Sequence, residues 1–172
     1  MILLSQQAYL TTHDWYGSTE LTLYAAPEEG DSFSVQQPLD VNLAEDISLV
    51  GYSLIERDLQ AGEIMRLGLF WQAQNPVDED YTVFVHLLDA EGGFARWTDT
   101  EPVGGSWPTT AWREGEMTVD NRGLLIPKSA MSGRYYLMVG MYLVQTGDRL
   151  TAYRGGEEVG DQVPLGEIRV TR

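Results

Sequence analysis

Apolar and polar positions alternate along most of this chain, with the two-residue period of strands that bury one face. Residues 19–25 (Thr-Glu-Leu-Thr-Leu-Tyr-Ala) show it first, before Pro27 and Glu28-Glu29-Gly30-Asp31 end the run. Residues 46–55 follow, with Ile47, Leu49 and Gly51 expected on one side. A glycine inside such a pattern marks a bulge or a close backbone approach. In residues 63–73, Ile64, Arg66, Gly68 and Phe70 alternate with Met65, Leu67, Leu69 and Trp71. Asn75 to Asp80 is an acidic turn. Residues 81–89 and 134–144 are apolar on both faces, which predicts strands in the middle of a sheet. Ala90-Glu91-Gly92-Gly93 reads as a hairpin turn into residues 94–100. Further strands are predicted at 116–126, 149–153 and 163–170. No long stretch repeats at 3.6 residues.

This spacing predicts an all-β fold, an antiparallel β-sandwich of jelly-roll or immunoglobulin-like type with about eight or nine strands. Residues 1–17 lack clear alternation and form a leading strand or arm. Residues 18–172 form the sandwich domain.

Composition adds limits. The 172 residues are 43% hydrophobic with 10% aromatics, which excludes general disorder. Eleven Lys+Arg against 26 Asp+Glu leave a net charge of −15. Such a chain repels nucleic acid and anionic lipid headgroups, leaving neutral ligands, cations and basic partners open. With no cysteine, disulfides, thiolate zinc sites and thiol catalysis are excluded. The apolar run Met1-Ile2-Leu3-Leu4 is too short for a signal core or a membrane span, so the chain as written is expected to be soluble, with no direct membrane insertion.

Catalytic signatures are weak. His13 and His86 stand apart, and the serines lack a Gly-x-Ser-x-Gly elbow. There is no P-loop or dinucleotide fingerprint, and no cofactor is expected. With 26 acids, a carboxylate pair of glycosidase type arises by chance alone. Asp78-Glu79-Asp80 offers oxygen ligands of the kind calcium prefers but lacks EF-hand spacing, and solvated turn carboxylates explain it better, so no metal site is expected.

The aromatics carry more. Residues 104–115 read Gly-Gly-Ser-Trp-Pro-Thr-Thr-Ala-Trp-Arg-Glu-Gly, a segment too broken for a helix or a regular strand. Its Trp107 and Trp112 either seal an end of the sandwich or present flat faces to a sugar. Trp97, Asp99 and Arg113 join them as candidate ligand-binding residues, with Thr109 as a further hydroxyl partner. Trp71 is expected in the core.

Several motifs occur in order: Gly51-Tyr52-Ser53-Leu54, Leu69-Phe70-Trp71-Gln72-Ala73, Asp80-Tyr81-Thr82-Val83-Phe84-Val85-His86-Leu87-Leu88-Asp89, Gly105-Ser106-Trp107-Pro108-Thr109-Thr110-Ala111-Trp112, Gly133-Arg134-Tyr135-Tyr136 and Gly147-Asp148-Arg149-Leu150. This order resembles the C-terminal β-sandwich of large bacterial membrane glycosyltransferase-like proteins of the dolichyl-phosphate-mannose mannosyltransferase type. Ala8-Tyr9-Leu10 and Asp14-Trp15-Tyr16-Gly17 are similar to the segment leading into that sandwich. The resemblance implies an extracytoplasmic module beside a polytopic bacterial membrane enzyme. Joined to the aromatic candidates, it gives the leading expectation of a non-catalytic accessory module open to carbohydrate binding, with a glycan or the membrane enzyme as partner. It carries over no catalytic residue. Two other readings stand beside it: a structural or protein-interaction domain without sugar affinity, and a glycan hydrolase using two carboxylates.

Overall fold

The computed structural model describes residues 7–28, 33–44 and 46–172. The apolar run at residues 1–4 and most of the turn at 28–31 lie outside them. Thirteen strands form and no α-helix does among the described residues. They are β1 (Tyr9–Tyr16), β2 (Thr19–Ala25), β3 (Gln37–Leu43), β4 (Ile47–Leu54), β5 (Asp58–Gln60), β6 (Ile64–Ala73), β7 (Tyr81–Leu88), β8 (Phe94–Thr100), β9 (Met117–Leu125), β10 (Gly133–Leu143), β11 (Ala152–Arg154), β12 (Glu157–Gly160) and β13 (Val163–Thr171). Their order is β12-β11-β3-β4-β6-β9-β1-β2 in one sheet and β5-β13-β10-β7-β8 in the other.

The two sheets pack as an all-β sandwich, as the alternation predicts. The strand count exceeds the expected one because β1, β3 and the short β5 and β12 are added, while β11 falls at the end of the strand expected at 149–153. Both sheets are mixed, since β1 pairs with β9 and β5 with β13 in parallel. The other pairings are antiparallel.

Alternation explains the layering. Met65, Leu67, Leu69 and Trp71 of β6 face Val83, Val85 and Leu87 of β7 and Leu137, Val139 and Met141 of β10 in one core. Each such side chain stabilises the fold by about 1.5–3 kcal/mol through burial. In β4 the register shifts between Leu49 and Gly51. The bulge flips the alternation, so Tyr52 and Leu54 rejoin Ile47 and Leu49 in the core, whereas Gly51 does not. A Cβ at Gly51 would collide with the Val35 side chain and the Gln37 carbonyl. Both expectations for this glycine, a bulge and a close approach, are therefore met.

Burial divides the five-stranded sheet cleanly. Val83, Val85 and Leu87 belong to the core cluster, and the interleaved Phe84 and His86 do not. The latter pair is nonetheless covered, at 1% and 6% exposure. Something on the outer face of that sheet buries them.

Candidate functional site

The Trp-rich loop is stitched down at three points. At its entrance, Val103 adopts φ 56°, a left-handed conformation costly for a β-branched residue. Its N–H donates to Asp120 Oδ1 at 3.0 Å. Asp120 Oδ2 accepts from Arg122 Nε at 2.9 Å and Nη2 at 2.7 Å. Arg122 also donates to the Thr100 carbonyl at 3.1 Å and to the Thr100 hydroxyl.

In mid-loop, the Thr109 hydroxyl donates to the Glu79 carbonyl at 2.6 Å and accepts the Tyr81 N–H at 2.9 Å. Asp80 Oδ1 accepts from the Thr110 hydroxyl at 2.7 Å and the Thr110 N–H at 3.2 Å. The Asp80 carboxylate is thus engaged in holding the loop. Thr109→Val should cost about 1–3 kcal/mol by orphaning two backbone groups, measured by urea denaturation.

At the exit, Trp112 lies in the core at 5% exposure and donates its Nε1–H to the Trp107 carbonyl at 3.1 Å. Trp107 is 38% exposed. It walls a hollow of about 300 Å³ with Phe33, Val103, Met117 and Val119, against the eight-stranded sheet. The two tryptophans therefore share no surface. The 3₁₀ turn at Thr109–Ala111 separates them and directs one inward.

Trp97 and Asp99 lie elsewhere, on the outer face of the five-stranded sheet. They alternate along β8 and pair directly across from His86 and Phe84 of β7. Trp97 and Phe94 are 57% and 59% exposed. The rings form a continuous run. Trp97 meets Phe94 edge-on at 6.2 Å, and Phe94 meets His86 edge-on at 4.9 Å. His86 stacks on Phe84 at 4.6 Å, and Phe84 tilts toward Tyr142 at 6.4 Å. The Arg149 guanidinium sits 4.4 Å above the Phe84 ring, which accounts for that ring's burial. Gly140 lets Phe84 lie flat, because a Cβ there would run into the ring.

Polar groups converge on this run. Asp99 Oδ1 lies 3.5 Å from His86 Nε2, and the Tyr142 hydroxyl donates to Asp99 Oδ2 at 3.5 Å. Both distances are at the long limit for such bonds, which leaves the carboxylate capacity to accept from a ligand. Arg149 Nη1 is 3.5 Å from Asp161. Phe84, His86, Asp99, Tyr142, Gly147 and Arg149 enclose a hollow of about 300 Å³.

Burial, and then the Asp99 charge and hydrogen bond, push the Tyr142 hydroxyl above its ordinary 10.0. The stabilisation linked to this proton is complete below pH 10.0 and is lost as pH rises through the higher folded value. A phenolate absorbance titration should show a late-ionising component, shared with Tyr24 and Tyr81, that Tyr142→Phe reduces by one tyrosine.

Of the five predicted residues, then, Trp97 and Asp99 come together, Trp107 faces the other sheet, Trp112 is core, and Arg113 is exposed in the loop. Phe84, His86, Tyr142 and Arg149 complete the site. Among the described residues, no group of three or more His, Asp or Glu side chains converges for a metal ion. No helix of the described residues is long and apolar enough to cross a membrane.

Fold and site define a two-sheet β-sandwich with an aromatic, partly charged outer face. No family model matches the chain, and no curated protein matches it. Among solved structures it is similar to the Pseudomonas fluorescens alkylpurine DNA glycosylase AlkC bound to DNA containing an abasic site analog, at 13% identity and TM-score 0.45, over 74% of this chain and 31% of that one. The chain thus spans about a third of that glycosylase's length. It is also similar to the C-terminal domain of Wzt, at 14% identity and TM-score 0.43, over 77% of each chain. A third is the CARDB domain of the PF1109 protein from Pyrococcus furiosus, in complex with di-metal ions, at 10% identity and TM-score 0.40, over 84% of this chain and 100% of that one. Likeness at this level carries nothing about activity.

Proposed function

We propose that this domain binds carbohydrate on the outer face of its five-stranded sheet and does so without catalysis, as an accessory module of a membrane glycosyltransferase-like enzyme. The observation that supports the binding surface is the ring run from Trp97 to Tyr142, with Asp99 and Arg149 set along it. Exposed aromatic faces pack against the C–H faces of sugar rings. A carboxylate with unused acceptor capacity takes hydroxyl protons, and a guanidinium donates to hydroxyl oxygens. The accessory role, the extracytoplasmic setting and the membrane-enzyme partner rest on the family resemblance alone.

A glycan array followed by calorimetric titration tests the surface. Trp97→Ala should weaken binding roughly threefold to tenfold, the worth of one aromatic contact. Asp99→Ala should weaken it on the order of tenfold or more. Trp107→Ala, which walls a different hollow, should leave it intact. Absence of binding by the unaltered protein, or binding indifferent to Trp97→Ala, would falsify the reading.

A further inference from the structure

The binding face does not stop at Asp99. Asp99 and Tyr142 are walls of two hollows at once. One is the aromatic hollow over Phe84. The other, of about 370 Å³, is bounded by His13, Thr82, Glu101 and Val144 among others. The Asp99–Tyr142 pair, 3.5 Å between its oxygens, is the ridge between them.

The hollows differ in chemistry. The first offers the Tyr142 ring and a guanidinium laid over the buried Phe84. The second offers an imidazole, a hydroxyl and a carboxylate, with the exposed Val144 at its rim. In the opposite direction, Phe94 and Trp97 carry the aromatic surface further along β8. A rise of about 3.4 Å per strand residue places Phe94 and Thr100 about 20 Å apart, far longer than a single pyranose ring.

We infer that this face takes the interior of a linear, uncharged glycan chain, with one sugar stacked on the exposed Trp97 and Phe94 rings and its neighbours hydrogen-bonded in the two hollows beyond. This rests on the carbohydrate reading above. A terminal sugar would fill one hollow and leave its neighbour unused, and two unlike hollows sharing one acid–phenol ridge fit two neighbouring units of one chain. The net charge of −15 and the Asp99 and Glu101 carboxylates disfavour an acidic glycan. Arg149, already shared between Asp161 and the Phe84 ring, does not offset them.

The test is calorimetric titration with neutral oligosaccharide ladders of the cello, manno and malto series, from monosaccharide to hexasaccharide. The unaltered protein, Trp97→Ala and Val144→Asp are compared, each checked for folding by near-ultraviolet circular dichroism. For at least one ladder, the hexasaccharide should bind roughly tenfold or more tightly than the disaccharide. Val144→Asp should collapse that ratio to less than about threefold. Affinity that is complete at one sugar and flat with length, yet lost in Trp97→Ala, overturns the interior-chain inference while keeping the carbohydrate reading. A length ratio that Val144→Asp does not change also overturns it. Absence of binding by every ladder member overturns both.

Discussion

Asp120→Ala should lower unfolding stability by about 3–5 kcal/mol in a denaturant titration, the cost of leaving one partner of a buried ion pair uncompensated. Asp120 and Arg122 are both 0% exposed. The aspartate does two things at once: it neutralises the guanidinium and it accepts the N–H of Val103. Its removal strands a charge between the sheets and frees a valine held at φ 56°. The loop that begins there would lose its entrance anchor. A double replacement, Asp120→Leu with Arg122→Met, should cost less than Asp120→Ala alone, because no charge is then left unpaired. A single-mutant loss below about 1 kcal/mol would show that the pair does not hold the loop.

Trp112→Ala should cost about 3–5 kcal/mol, as truncation of a large core side chain does. Trp107→Ala should cost much less, because a third of that side chain already faces solvent. The two substitutions also separate by fluorescence. Loss of Trp112 removes blue-shifted, poorly quenched emission, whereas loss of Trp107 removes a component open to quencher. Equal costs for the two would contradict their different burial.

The strands legible in the sequence are the longer ones, whether they alternate, as β2 and β8 do, or are apolar on both faces, as β7 and β10 are. The reading at 19–25 coincides with β2, and that at 94–100 with β8. β3 carries the alternation Leu39, Val41, Leu43, but Pro38 near its start argues against a strand by local rules. The proline is tolerated beside the register shift between Pro38 and Val41. β5 and β12 have three and four residues, too few for a period to register, and of the strand expected at 149–153 only the end falls in β11.

For the site, Trp97 and Asp99 were legible because they alternate on a half-polar strand. Phe84 and His86 were not, because β7 is apolar on both faces and its sequence does not say which face is the core. Tyr142 and Arg149 join the hollow beside Asp99 only through the pairing of β10 with β7, a long-range register that local pattern does not encode. Trp107 and Trp112 seemed one feature because they are close in sequence. A single 3₁₀ turn is enough to send them to different surroundings.

The placement of β13 also governs how the chain must be made. This strand lies between β5 and β10, and among the described residues Asp58 to Gln60 pair only with Arg169 to Thr171 in that sheet. Val163, Leu165, Ile168 and Val170 fill core positions, and the Tyr52 hydroxyl donates to the Leu165 carbonyl. Until β13 leaves the ribosome, the β5 segment has no strand partner in that sheet and β10 has an open edge, with apolar surface uncovered. Completion of the five-stranded sheet therefore follows synthesis of β13, so the pairing of β5 is among the last contacts the domain can make.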